Sequence, residues 1–355
     1  MAKLKHAQAM ICVASLLCGS LVYSAPAINQ ATGGWSHDGT ITISGTGFGT
    51  KPSATPVLWD TVDNATSYSS LVDGDAIPIG GSNPWKSIYA NSSGRDDVKY
   101  ETSSTEQCGV SAAMYKATSK KTAYLDGLSW TKTDSVYVSW WWKQDTDTSA
   151  GDHSSKWIRV SDNSDETGKT FSWTQHQSII YTTTSGYCAN QWRGWSGNPG
   201  KWNFMEVWFD NAAQRYSIRI NGVALYNNIS WSPCSSLQMN ELWKLGFDGG
   251  GNNPPAITWW MDDIYVDSSF ARVMLGNASS YSSSTQFEMQ SLVSWSSSSI
   301  DITVNQGGFN SGATSYLYVI DSQEVVNQTG YPVVISSTVS QASPPNPPAN
   351  LTVTY

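Results

Sequence analysis

Charge is scarce in this chain. Asp, Glu, Lys and Arg together make up only 14% of its 355 residues and leave a formal net charge of −8. A disordered polyelectrolyte is excluded, because such segments stay unfolded through high charge and few aromatics, whereas this chain holds 18 Trp, 17 Tyr and 8 Phe. Clustered Lys and Arg are missing, so the footprint that neutralises a phosphate backbone is absent and nucleic acid is not an expected partner. Beyond residue 25 no apolar run approaches the ~20 residues of a bilayer-crossing helix, so no membrane span is expected. No stretch of a dozen residues carries a 3.6-residue apolar period, which argues against a helical architecture. Cysteines number only five, and none has a metal-finger spacing, so structural zinc is not expected.

What the first residues do contain is an export signal. Lys3 and Lys5 precede an apolar stretch from Ala9 to Val22 and then small residues, the three-part pattern of a secretory leader. Cleavage after Ser24, giving a leader of residues 1–24, is expected. Cutting after Ala25 would place Pro26 directly beyond the scissile bond. Cys18 follows Ser15-Leu16-Leu17 without a small residue just before it, which disfavours lipid anchoring. The rest of the chain exceeds what one core usually organises, so two domains are expected. In an oxidising compartment Cys108, Cys188 and Cys234 are an odd set that allows at most one disulfide. Cys188–Cys234 is the favoured pairing, and the sequence leaves the others open.

Nearly every segment reads as β. Apolar–polar alternation runs through Val136–Lys143, Lys156–Ser161, Asn203–Asp210, Gln214–Ile220, Thr258–Asp267, Ile300–Val304 and Ser315–Ile320, the period of strands with two distinct faces. Turn signals separate them, among them Asn221-Gly222 and Asp248-Gly249-Gly250. Short strands at such spacing predict an all-β sandwich or barrel. The tail from Ser343, with Pro344-Pro345-Asn346-Pro347-Pro348, reads as an extended spacer over residues 343–355.

Two family resemblances follow from specific stretches. Gly39-Thr40-Ile41-Thr42-Ile43-Ser44-Gly45-Thr46-Gly47-Phe48-Gly49 resembles the opening of TIG-type immunoglobulin-like domains. Later strands of that module are resembled by Ala271–Gly276, Ser294–Val304, Tyr316–Asp321 and Gly330–Ile335. The implied arrangement is one Ig-like sandwich built from residues 25–57 and 270–342, with a second domain inserted. Sandwich loops tolerate such insertions at modest entropic cost. The inserted block, 58–269, resembles the concanavalin A-like lectin/glucanase jelly roll, including laminin-G-like modules. Ser139-Trp140-Trp141-Trp142, Glu206-Val207-Trp208-Phe209-Asp210, Ile218-Arg219-Ile220-Asn221-Gly222 and Trp259-Trp260-Met261-Asp262-Asp263 carry that resemblance. The expected fold class is therefore all-β: an antiparallel jelly roll inserted into or flanked by a small Ig-like sandwich.

Residues two apart in a strand share a face. Val136, Val138, Trp140 and Trp142 form the natural core face of their strand, leaving Trp141 and Lys143 on the other. By the same alternation Ile158 and Val160 face inward and Trp157 with Arg159 outward. Met205, Val207 and Phe209 face inward, and Glu206 with Trp208 outward. Indoles beside charged groups suit a sugar, because a flat ring stacks on its C–H patch while charged neighbours bond its hydroxyls. The resemblance implies a sugar site on the concave sheet of the jelly roll. Trp141, Lys143, Trp157, Arg159, Glu206 and Trp208 are thus the expected carbohydrate-binding set, with Trp192 and Trp195 of the Gln191–Trp195 loop completing it.

Catalytic patterns are thinner. The acidic motif of glycoside hydrolases with this fold is not matched, since Asp210 lies on the opposite face from Glu206 and a retaining pair needs carboxyl groups ~5 Å apart. Lyases of this fold use Arg, Gln, His and Tyr on a uronate, and His176, Arg159 and Tyr181 are the corresponding candidates, with His176 as base. The jelly-roll resemblance also implies one structural Ca²⁺, with Asp262 and Asp263 as late ligands and Asp97 or Glu101 as early ones. A loop from Asp145 to Asp152 has calcium-loop character, but Lys156 stands where a closing Glu belongs. The sequence predicts a secreted, non-catalytic polysaccharide-binding protein. A uronate lyase and a structural or adhesive surface protein are the alternatives.

Overall fold

The computed structural model describes residues 24–336 except 91–97, 103–107, 120–121, 132–134, 146–153, 163–169, 175–176, 183–185, 194–196, 232–237 and 251–256. The leader, Asp97, His176, Trp195, Cys234, most of the Asp145–Asp152 loop and the Pro-rich tail lie outside the described residues. Tyr181 and Cys188 are placed by their strands alone. Among the described residues the regular elements are strands, with short 3-10 turns at Thr66–Tyr68 and Tyr281–Ser283. The all-β expectation holds.

Two antiparallel eight-stranded sheets form a large sandwich. One, here the open sheet, runs in the order Gly186–Trp192, Gln177–Thr182, Thr170–Thr174, Ser154–Ser161, Glu241–Gly250, Thr122–Asp126 and Ser87–Ala90, with Leu128–Ser129 also on Glu241–Gly250. The other, the seam sheet, runs Val223–Ser230, Arg215–Ile220, Asn203–Asp210, Val136–Gln144, Ile257–Asp267, Met114–Ser119 and Lys99–Glu101, with Leu58–Asp60 also on Ile257–Asp267. Alternation explains their packing. Val136, Val138, Trp140 and Trp142 of one strand join Met205, Val207 and Phe209 of its neighbour, and meet Ile158, Val160, Phe171 and Trp173 from the open sheet. Each large side chain so buried contributes roughly 1.5–3 kcal/mol.

A small sandwich packs two four-stranded sheets. Ala27–Gly33 and Thr40–Thr46 pair with Ser299–Thr303 and Ser291–Trp295, while Phe287–Met289, Arg272–Gly276, Thr314–Ile320 and Tyr331–Val334 form the second layer. Ile41 lies opposite Ile302 and Ile43 opposite Ile300, so strands from near both ends of the described chain share one core. Phe48 fills that core, and a Cβ on Gly45 would fall 2.5 Å from its ring. Glycine is needed there for close approach.

Candidate functional site: an open sheet face and a buried seam

In its central strands the second face of the seam sheet is covered. Parity is as expected, with Tyr137, Ser139 and Trp141 on one strand and Phe204, Glu206 and Trp208 on its neighbour all turned away from the large core. Onto them pack Phe270, Met274, Phe287, Met289, Tyr318 and Ile320 of the small sandwich and its approach. Trp141 keeps 8% and Trp208 6% of their surface exposed. The expected trough of displayed indoles is therefore corrected: an aromatic sheet face is also the best docking surface for a second sandwich, and burying it there removes more apolar area from water than a sugar could.

Trp157 fails for a different reason. The pairing register of its strand shifts between Lys156 and Ile158, so Trp157 joins Ile158 in the large core, 1% exposed and edge-on to Trp173 with centroids 5.1 Å apart. Strict alternation cannot foresee such a bulge.

The charges on the covered face are paired. Glu206, 1% exposed, accepts from the Tyr137 hydroxyl at 2.7 Å and from the Arg272 guanidinium at 3.2 Å. Arg272 lies over the Tyr137 and Phe270 rings at 4.4 and 4.1 Å. Glu206 is thus a structural anchor and cannot reach a saccharide. Lys51 bonds Asp267 at 2.7 Å, and the Trp141 indole donates to Glu288 at 3.0 Å.

At other carboxyl groups of the seam burial is the dominant influence. Asp262 and Asp263 sit at a register shift of Ile257–Asp267, with Asp263 in the left-handed region at φ 48°. Burial, reinforced for Asp262 by its neighbour Asp263, raises both, Asp263 to about 7 despite a 2.7 Å bond from Asn305. Burial likewise pushes Glu288 up to about 8. The buried, free Cys108 thiol beside them is raised well above its usual range by burial first and these carboxylates second.

Glu101, one of the two early calcium ligands expected, lies apart from Asp262 and Asp263. Glu101 forms a 3.1 Å ion pair with Lys116, two strands from Asp262 and Asp263 in the sheet order. Asp97 is outside the described residues. Among the described residues no three His, Cys, Asp or Glu side chains are arranged to hold a metal ion, so no calcium chemistry is derived.

The open sheet presents the contrasting surface. Among the described residues no apolar cluster packs on its outer face. Arg159 emerges there between the inward Ile158 and Val160. Opposite it stands Lys244, and the register then slips so that Val160 pairs with Leu242. The extra residue is Trp243, which this bulge leaves outside the core; Arg159 lies 5.5 Å from its ring centroid. Lys244 lies 4.6 Å from that centroid and 4.4 Å from the centroid of Tyr124. Gly246, at φ 138°, lies opposite Tyr124, where a Cβ would come 3.1 Å from the Tyr124 Cβ. Arg159 and Lys244 thus flank the half-buried Trp243 ring on one face, each contact worth ~0.5–1 kcal/mol when exposed, while Tyr124, only 3% exposed with Lys244 over it, offers no free ring.

Of the residues expected from sequence, Arg159 and Trp192 belong to this face. Trp192 is 64% exposed and lies on the same side by register through Ser172, Ile179 and Asn190. Lys143 stays on the seam sheet, half-buried, 5.3 Å from the Trp260 centroid. Trp243, Lys244 and Tyr124 were not anticipated. The available signal was Leu242 and Leu245, two core residues three positions apart, a spacing that one-for-one alternation forbids and a bulge permits.

No family model matches the chain, and no curated protein matches it. Solved structures with weak similarity include the binding domain of botulinum neurotoxin DC in complex with rat synaptotagmin II, at 10% identity over 66% of this chain and 65% of that one, TM-score 0.36. The binding domain of botulinum neurotoxin serotype C1 aligns at 12% identity over 66% of each chain, TM-score 0.36. A sialidase aligns at 9% identity over 66% of this chain and 21% of that one, TM-score 0.33. The chain spans just under two thirds of the neurotoxin domains and about a fifth of the sialidase. Its site is accordingly read from its own residues. Among the described residues no helix is long and apolar enough to cross a membrane.

Proposed function

We propose that this is an exported protein that binds polysaccharide, without cleaving it, across the outer face of the open sheet. In this reading a concanavalin A-like jelly roll, residues 58–269, is inserted into a TIG-type sandwich made from 25–57 and 270–342. The pairing of Thr40–Thr46 with Ser299–Thr303 supports that division. The observation that carries the function is the half-buried Trp243 ring flanked by Arg159 and Lys244, on a face where no apolar cluster packs among the described residues. The Trp243 ring offers stacking area to sugar C–H patches, and the two cations favour a polymer bearing carboxylate or sulfate. Affinity electrophoresis through gels containing acidic polysaccharides tests it. The native chain should be retarded, less so at high salt, and Trp243→Ala should weaken binding about 30-fold, the ~2 kcal/mol of a central aromatic anchor. Equal mobility of native and variant protein in every polymer defeats the reading.

A uronate lyase is the second reading, favoured by one placement. Arg159 pairs with Ser172 and Ser161 with Thr170, which pairs with Tyr181, so Tyr181 occupies a register position on the Arg159 face. Lyase action leaves an unsaturated uronate that absorbs in the ultraviolet. The non-catalytic reading expects a flat trace on alginate, pectate and glucuronan; a rising trace abolished by Arg159→Ala would replace it with the lyase.

A further inference from the structure

A cleft separate from the open sheet lies at the mouth of the seam. A cleft of about 400 Å³ opens where the end of Asn203–Asp210, the crossover Ser268–Phe270, the loop Thr50–Pro52 and Ser322 come together. That volume lies within the ~300–1,000 Å³ of small-molecule sites, which favour domain junctions. We infer that this cleft binds a neutral, hydroxyl-rich ligand the size of a single sugar unit and touches both sandwiches through it.

Three features carry the inference. Trp208 forms one wall, held edge-on against Phe270 with ring centroids 5.0 Å apart. On a side chain only 6% exposed, its indole N–H makes no hydrogen bond to a described residue and is not among the buried unpartnered donors, so it keeps contact with solvent. An indole N–H left to solvent at the wall of a polar cleft can donate to a bound hydroxyl. Asp210, half-buried across the cleft, spends one carboxylate oxygen on the Ala213 amide at 2.9 Å. That bond fixes the group and leaves its second oxygen to accept from sugar hydroxyls.

The rest of the lining sets the chemical class. Hydroxyls of Ser135, Ser268 and Ser322 supply neutral donors and acceptors. Lys51, the one cation in the lining, is committed to Asp267 at 2.7 Å and to the Ser53 carbonyl at 2.7 Å. With that charge spent and Asp210 facing in, an anionic sugar would meet a carboxylate without a counter-charge, so the cleft selects against the acidic units that suit the open sheet. A ligand bridging the two sandwiches also binds only the docked state and therefore stabilises it.

Saturation-transfer NMR and thermal melting of the full chain with methyl hexosides and, separately, methyl uronates test this. Methyl hexosides should give saturation transfer and a rise in melting temperature that the cleft variants diminish; any signal from methyl uronates, which suit the open sheet, should be unchanged by those variants. Asp210→Asn keeps the bond to Ala213 and should weaken hexoside binding at least tenfold. Trp208→Phe keeps the ring and removes the donor, and should weaken it several-fold. Trp243→Ala, on the open sheet, should leave hexoside binding unchanged, so loss of one site is distinguishable from loss of the other. The inference is overturned if no hexoside binds the native chain, if both cleft variants bind hexoside like it, or if those variants weaken uronate binding as much as hexoside binding.

Discussion

Arg272→Ala should cost about 3–5 kcal/mol, the loss expected when one member of a buried ion pair is removed and the other stays uncompensated. Glu206 and Arg272 are each 1% exposed and 3.2 Å apart. Without the guanidinium, Glu206 would keep only the Tyr137 hydroxyl, and the Glu206 Oε2 already lacks a donor among the described residues. The Tyr137 and Phe270 rings would also lose the cation stacked between them. Because these groups sit where the two sandwiches meet, the expected denaturation curve shifts to lower denaturant and the seam becomes susceptible to limited proteolysis. The double change Arg272→Met with Glu206→Gln should recover much of the loss, since removing both charges leaves no buried ion unpaired. Denaturant titration of the three proteins decides the matter; an Arg272→Ala variant within 1 kcal/mol of the native chain would show that the pair does not hold the seam.

Raising the pH from about 5 to 9 should destabilise the protein, the reverse of what an ordinary carboxylate ion-pair network gives. Asp263 is raised to about 7 and Glu288 to about 8, both by burial first, and Asp262 is raised with them. A group whose folded pKa exceeds its unfolded value binds its proton more tightly when folded. Its stabilisation is full below the unfolded value, near 4 for carboxyls, and is lost as pH climbs through the folded one. Each such group takes away ~1.4 kcal/mol per pH unit across that window, so the loss amounts to several kcal/mol. Burial raises Asp267 as well despite its bond to Lys51, so it acts in the same direction. Melting temperature against pH is the measurement. Asp263→Asn, which can still accept from Asn305 through its amide oxygen, should flatten the profile. A curve that rises from pH 5 to 9 would contradict the seam electrostatics.

Much of the fold is visible in local patterns. Alternation in Val136–Gln144 and Asn203–Asp210 assigns each side chain to the correct face, as the packing of Trp140 and Met205 inward and Trp141 and Trp208 outward shows. Strand-rich character needs nothing more than residue order, since period-two hydrophobicity cannot sit still as a helix. The site was far less visible. Trp157 turned inward at a register shift, Trp243 turned outward at another, and both depend on neighbouring strands that no local window contains.

Sequence alone determined that the chain is all-β, that its indoles divide between two faces of each strand, and that one of those faces carries charge beside aromatic rings. Tertiary structure decided which faces stay open. Trp141 and Trp208 are covered by Phe270, Met274 and Phe287, which lie far along the chain, while Arg159 and Trp243 share a face on which no apolar cluster packs among the described residues. The reason is physical: a strand's own residues set which way each side chain points, but exposure depends on what docks there, and that is settled by apolar area gained across segments distant in sequence.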